Sequence, residues 1–319
     1  MLRYSNLQLG CTHDILLTGE GGTNMGKGRF QASKKTLSFL AAMATVLMWS
    51  SAFPVTRYLL QYHSPGAIMV LRFITASVIL ICIGIIKKIK IPEVKDLPLF
   101  IALGVFGVFL YNFFFNTGTI YVVAGISSFI VSSSPVFTLI LARLFLKEIV
   151  KSSVWVGVGL SFGGLMLVMF SQTDGFALNI GTLFLIGAAI SASILNITQR
   201  LLVKKYTALE ATTYGILFGT LCMLIYLPDA IHELSEATLF TSIAIIQMAV
   251  FPAVLAYISW AYALSTAEKT THVTVFLYLI PFLSSLIGFF WLGETFSLWS
   301  LFGGIVIIAG MVLTNVFGK

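Results

Sequence analysis

Arg72 is the charged side chain that most needs a reason. It lies in the otherwise uncharged stretch from Pro65 to Ile86, seven residues past the proline. At 1.5 Å per helical residue that is roughly 10 Å deep, where an arginine costs about 2.5–3.5 kcal/mol on insertion scales. A guanidinium so placed can pair bidentately with a carboxylate, tie helices together, or snorkel outward. A second chemical pattern is the series Thr271, Thr274, Tyr278, Pro281, Ser285 and Gly288. Its 3-4-3-4-3 spacing keeps these residues on one helix face. An earlier stretch, Gly125 to Glu148, carries five serines and Pro135 in an apolar run. Shifted by 146, the series falls on Gly125, Ser128, Ser132, Pro135, Leu139 and Ala142. Each proline removes an amide donor and opens a kink. The polar face either lines a cavity, with Ser128, Ser132, Thr274 and Tyr278 in its wall, or lets helices approach closely. On the cavity reading Val131 and Phe276 point elsewhere.

Other polar groups in apolar stretches need partners as well. Trp49 lies on a stripe with Ser38, Thr45, Ala52 and Thr56, deeper than an interfacial aromatic belt would put it. It either lines a cavity or packs in the core. Asn112, Asn116, Asn196 and Gln247 are amides suited to interhelical hydrogen bonds or to a ligand. Tyr111 and Tyr257 are related by the same shift of 146, which favours an inward position for both. The candidate substrate-binding set is therefore Trp49, Arg72, Tyr111, Asn112, Ser128, Ser132, Asn196, Gln247, Tyr257, Thr274 and Tyr278, with Pro135 and Pro281 as kinks. No catalytic residue, metal-ligand set or cofactor motif is expected. His272 is the one histidine in an apolar stretch and reads as interfacial; HExxH and GxxxxGK[ST] do not occur. No Asp or Glu lies inside the apolar stretches, so proton or sodium coupling has no visible carrier. Cys11, Cys82 and Cys222 are too scattered for a disulfide framework.

Apolar residues make up 58% of the chain and charged ones 10%, far from the roughly one-quarter charged of soluble domains. Ten candidate membrane spans follow: 36–56, 65–86, 97–115, 124–142, 152–170, 180–198, 211–228, 239–260, 270–291 and 298–317. With both termini in the cytoplasm, 17 of the 19 basic residues collect on that side, while Asp174, Asp229, Glu233, Glu236 and Glu294 lie outside. The bias of Lys and Arg sets orientation in this way. It also accounts for the net charge of +7 without nucleic acid. The shift of 146 holds without a gap for Tyr111/Tyr257, Pro135/Pro281, Leu146/Leu292, Glu148/Glu294, Gly157/Gly303, Gly164/Gly310 and Leu167/Leu313. Five spans per copy is an odd number, so the second copy enters the membrane inverted. Inverted repeats with a site near the midplane are a design of secondary transporters.

Ten spans in five-plus-five form resemble the drug/metabolite transporter superfamily, in particular its EamA branch. So do WSSAFPVTR at 49–57, SPGAIMVLRF at 64–73, and the Pro…LxE ending of spans four and nine. Span six departs from the pattern, reading ISASILNITQR where a Trp is common. The resemblance covers residues 36–317 and implies a helical basket around a central cavity, with spans five and ten peripheral. The expected fold is an all-α integral membrane protein, with repeats at 36–170 and 180–317. The expected function is secondary transport or export of small organic metabolites, amino acids or related zwitterions, across a bacterial inner membrane; efflux of lipophilic cations is the alternative. Expected partners are a small-molecule substrate and the lipid bilayer. Gly159 and Gly163 form a GxxxG pair that fits either packing or a homodimer seam through spans five and ten. Residues 1–35 form a polar cytoplasmic segment. Translation from Met25 is one expectation for it, because Glu20-Gly21-Gly22 codons are purine-rich like a ribosome-binding site; a disordered tail is the other.

Overall fold

A computed structural model describes residues 23–122, 124–170, 179–235, 237–292 and 298–317. Among them all regular structure is helical. Eight helical stretches are long and apolar enough to cross a membrane: Thr36–Leu59, Pro65–Lys87, Val94–Tyr121, Ile126–Phe145, Ile180–Leu202, Ala208–Ser235, Leu239–Thr266 and Thr270–Ile287. Two shorter apolar stretches, Ser152–Leu167 and Leu301–Phe317, lie in the helices Ser152–Phe170 and Leu298–Phe317. Asp174, Glu236, Glu294 and Lys319, used above to orient the chain, lie outside the described residues, as does most of the N-terminal segment. The first helix, Thr23–Leu59, begins ahead of the expected span. Span seven also outruns its expected end, through the helix Leu227–Ser235. Pro228 suits that helix's first turn, and Asp229 complements its N-terminal dipole. Glu233 is consequently not a loop residue. Its carboxylate accepts from Ser64 N at 2.9 Å, at the N-cap of span two, and stands 3.4 Å from His63 Nδ1.

Five of the long stretches are interrupted: span seven by a 3-10 turn, Leu224–Tyr226, and four others where the interruptions position the site. In span four the helix Ala124–Val131 stops, and a new one, Ser134–Phe145, starts with Pro135 in its first turn. In span nine the helix Thr270–Thr274 tightens to a 3-10 segment, Val275–Tyr278, before Leu279–Leu292 carries Pro281. Spans three and eight each contain a π-helical segment, Leu103–Leu110 and Ala249–Leu255. These begin 146 residues apart, the same offset that relates Tyr111 to Tyr257, and each runs directly into the helix bearing its tyrosine. π segments are rare and gather at functional sites, so a matched pair is unlike a chance irregularity.

Spans five and ten pack on each other through glycine. A Cβ at Gly157 would meet Thr314 Oγ1 at 2.3 Å and Gly310 O at 2.8 Å; one at Gly310 would meet Gly157 O at 2.5 Å. Ser161 Oγ donates across the seam to Ile307 O at 3.2 Å. Gly159 and Gly163 point away, with nothing within 4 Å of an added Cβ. The packing alternative therefore describes Gly157 and Gly310, and any seam to a second copy would have to use the other pair. Because the clash at Gly157 is with backbone, Gly157→Ala should lose about 1–3 kcal/mol by overpacking. Gly159→Ala should be neutral. Thermal unfolding of the two purified variants in detergent checks the contrast; equal melting temperatures would contradict it.

Candidate functional site

Ser64 caps span two by accepting from Ala67 N at 3.2 Å, and Pro65 occupies the first turn. The helix so fixed carries Arg72 into the bundle, where it is 5% exposed. Its Nε donates to Met248 O at 3.0 Å and its Nη1 to Asn112 Oδ1 at 3.3 Å. Met248 lies four residues before Pro252, which has no N–H to offer the carbonyl one turn back. Arg72 supplies a donor there. Asn112 is held in turn by its Nδ2 donating to Val108 O at 2.7 Å, inside the other π segment. The Arg72 guanidinium also lies 4.9 Å from the Phe73 ring centroid, within electrostatic reach of the Tyr111 and Tyr257 hydroxyls. Of the roles open to Arg72, the tie between spans two, three and eight is the one its hydrogen bonds make.

A second network starts at Trp49, whose Nε1 donates to Pro252 O at 3.0 Å. Its ring meets Tyr257 edge-on at 5.7 Å and Trp260 at 5.2 Å. Trp260 Nε1 donates to Asn196 Oδ1 at 2.8 Å, and Asn196 Nδ2 donates to Thr138 Oγ1 at 3.0 Å. This second network borders a central cavity of ≈ 40 Å³, whose wall also holds Tyr111 and Tyr257. That is room for about one water molecule, so the walls are closed on each other in this conformation. The cavity is lined by Trp49, Tyr111, Ser132, Ser134, Asn196 and Tyr257, with apolar contributions that include Val131, Leu277 and Ile280. Ser132 Oγ is buried there without a hydrogen-bond partner.

The structure thus brings Trp49, Tyr111, Ser132, Asn196 and Tyr257 together, with Arg72 and Asn112 behind the tyrosines. Ser128, Thr274 and Tyr278 are buried but outside the cavity lining. Gln247 is elsewhere, its Nε2 3.4 Å from Ser51 Oγ. The face shared by Thr271, Thr274 and Tyr278 does not reach the cavity because the 3-10 segment Val275–Tyr278 advances about 120° per residue rather than 100°. That turn brings Leu277 and Ile280 inward, and Phe276 to a separate cavity near Phe39. The break at Ser132 and Ser133 likewise admits Val131. Both residues expected to avoid a cavity therefore line one.

Two residues of the site were missed in the sequence. Trp260 is fully buried and joins Trp49 to Asn196; its place three residues after Tyr257 was a usable signal. Gln199 fell just beyond the expected end of span six, yet it is fully buried and its Nε2 lies 3.4 Å from Tyr257 O. The LxE ending of span four also gains a reason. Glu148 accepts from Thr270 N at 3.0 Å and Thr270 Oγ1 at 2.7 Å, capping the first turn of span nine. Beside it Arg200 donates to Leu264 O and Ala267 O at the end of span eight. Farther along the same end, Lys205 pairs with Glu93 at 2.7 Å and holds that carboxyl below its ordinary range.

The model of the EamA-like transporter family matches this chain twice, over residues 36–170 and 179–316. The chain belongs to that family. Among its relatives, an uncharacterized transporter, YdfC, of Bacillus subtilis (strain 168) is 32% identical over 88% of this chain and 92% of its own. An uncharacterized transporter of Archaeoglobus fulgidus is also 32% identical, over 86% of this chain and 95% of its own. A protein of Streptantibioticus cattleyicolor described as a probable terminal-alkyne amino-acid exporter is 28% identical, over 86% of this chain and 92% of its own. A solved crystal structure superimposes with a TM-score of 0.72 at 15% identity, covering 88% of this chain and 97% of that one, which speaks for the fold alone. This is a multi-pass membrane transporter, and its family and relatives are transporters rather than enzymes.

Proposed function

We propose that the transporter exports small zwitterionic metabolites, amino acids or close relatives, across a bacterial inner membrane by alternating access. The observation that carries this is the buried guanidinium of Arg72 behind a cavity walled by Trp49, Tyr111 and Tyr257, with no carboxylate in its lining. Aromatic faces accommodate an ammonium, while a nearby guanidinium attracts a carboxylate and repels a ligand carrying positive charge alone. A zwitterion satisfies both. The relative described as an amino-acid exporter agrees with this class. The aromatic walls also favour the second reading, efflux of a lipophilic cation, but the Arg72 charge opposes it.

The alternating-access mechanism rests on reading the chain as ten spans in two inverted five-helix repeats, both termini cytoplasmic. The paired π segments, the matched prolines and the two family matches support that reading. Spans four and nine meet end to end through Glu148 and Thr270, so this contact latches the cytoplasmic side. Glu148→Ala should open that side, raising labelling of Ser132→Cys by a polar thiol reagent from the cytoplasmic face severalfold. Unchanged labelling would remove the latch. For the function itself, proteoliposomes loaded with radiolabelled L-amino acids should release label against an unlabelled pool, and tetraphenylphosphonium should not compete. Release blocked by tetraphenylphosphonium would favour the cation reading; no release of any amino acid would sink the proposal.

A further inference from the structure

The end of the bundle opposite Thr270 holds another cavity, of ≈ 240 Å³, between spans two, three and seven. Its polar lining is Ser64, Asn116, Thr117, Tyr226 and Asp229, with no basic residue. Asn116 is 2% exposed; its Nδ2 lies 3.4 Å from Pro65 O, and its Oδ1 is buried with no partner. A buried acceptor left bare costs about 1–3 kcal/mol, so this oxygen calls for a donor. Asp229 adds an exposed carboxylate at the mouth. The Tyr226 ring lies so close over span two that a Cβ at Gly66 would meet its Cδ1 at 2.5 Å. An acceptor without a donor, a carboxylate and an aromatic ring are what a primary ammonium needs.

The cavity also lies one helical turn from the Arg72–Asn112 pair. Met69, in its wall, lies three residues before Arg72, and Asn116 lies four residues after Asn112. Those spacings put each pair on one helix face, one turn apart. We propose that this cavity is a second ligand site, on the external side, which takes the ammonium end of a solute beyond the Arg72–Asn112 pair. The assignment rests on the zwitterion-export reading for its place on a pathway. Ammonium binding itself stands or falls separately.

The test uses the purified full-length protein in detergent, titrated calorimetrically with L-alaninamide at mildly acidic pH, where the probe is an ammonium without a carboxylate. Saturable binding is expected. Asp229→Asn, an exposed and isosteric change, should weaken it about tenfold or more. Asn116→Ala should weaken it too, and Gly159→Ala, remote from both cavities, should not. N-acetyl-L-alaninamide, which lacks the charge, should not bind. Equal binding of the acetylated probe, or unchanged affinity in Asp229→Asn, would overturn the site. Binding without amino-acid flux in proteoliposomes would leave the site in place and remove the export reading; flux without binding would do the reverse.

Discussion

Arg72→Ala should abolish most transport, about a hundredfold or more, while the protein still accumulates. The two consequences separate because the energetic terms differ in sign. Removing the side chain takes a charged donor from Met248 O and from Asn112 Oδ1, at about 1.5–3 kcal/mol each. It also relieves the cost of holding an arginine mid-membrane, about 2.5–3.5 kcal/mol. Stability therefore falls by at most a few kcal/mol, but the charge beside the cavity and the anchor for Asn112 are gone. Arg72→Lys keeps the charge and loses the planar fork that reaches two acceptors at once, so it should insert normally and transport poorly. Pro252→Ala offers an independent check. It returns an N–H that can serve Met248 O, so in the Arg72→Ala background it should recover part of the melting temperature and none of the flux. Flux and thermal unfolding of the four proteins measure both effects. Wild-type flux through Arg72→Lys at normal abundance would remove Arg72 from the site.

Trp260→Ala should be the most destabilising single change at the centre, losing about 3–5 kcal/mol as buried Trp truncations do. The residue is fully buried, packs on Trp49 and donates to Asn196 Oδ1. Trp260→Phe keeps most of the volume but strips the donor, leaving a buried amide oxygen bare at about 1–3 kcal/mol. It should therefore fold and transport with reduced activity. The chemical-denaturation or thermal midpoint of each variant in detergent reads the order wild type, Phe, Ala. A Phe variant as damaged as Ala would show that the indole N–H, not packing, dominates.

Much of the architecture was legible because lipid forces it. Apolar stretches of the right length must be helices, and eight of the candidate spans fall on described helices long and apolar enough to cross a membrane. The offset of 146 picked out Tyr111 and Tyr257, whose side chains do border the same cavity. What was not legible is the register inside span nine. An ideal 3.6-residue helix puts Thr274 and Tyr278 on one face with Pro281. The 3-10 turn ahead of the proline rotates that face away and brings in Leu277 and Ile280. Proline signals that a helix is interrupted, but not whether it tightens, as in span nine, or breaks, as at Ser132. The π segments were equally hidden, since nothing in LGVFGVFL distinguishes a wide turn from an ordinary one. Arg72 looked costly in sequence for want of its partners, the Met248 carbonyl and the Asn112 amide, 176 and 40 residues away in the chain.

The most direct test of the central claim, that solute passes through the cavity between Tyr111, Ser132 and Tyr257, uses a single cysteine at Ser132. In a background lacking Cys11, Cys82 and Cys222, Ser132→Cys protein in proteoliposomes is treated with a polar thiol reagent, with and without a saturating mixture of L-amino acids. The account predicts that the reagent stops amino-acid counterflow, that the amino acids protect against it, and that Ser128→Cys outside the cavity lining is unaffected. Undiminished counterflow through fully modified Ser132→Cys would contradict it.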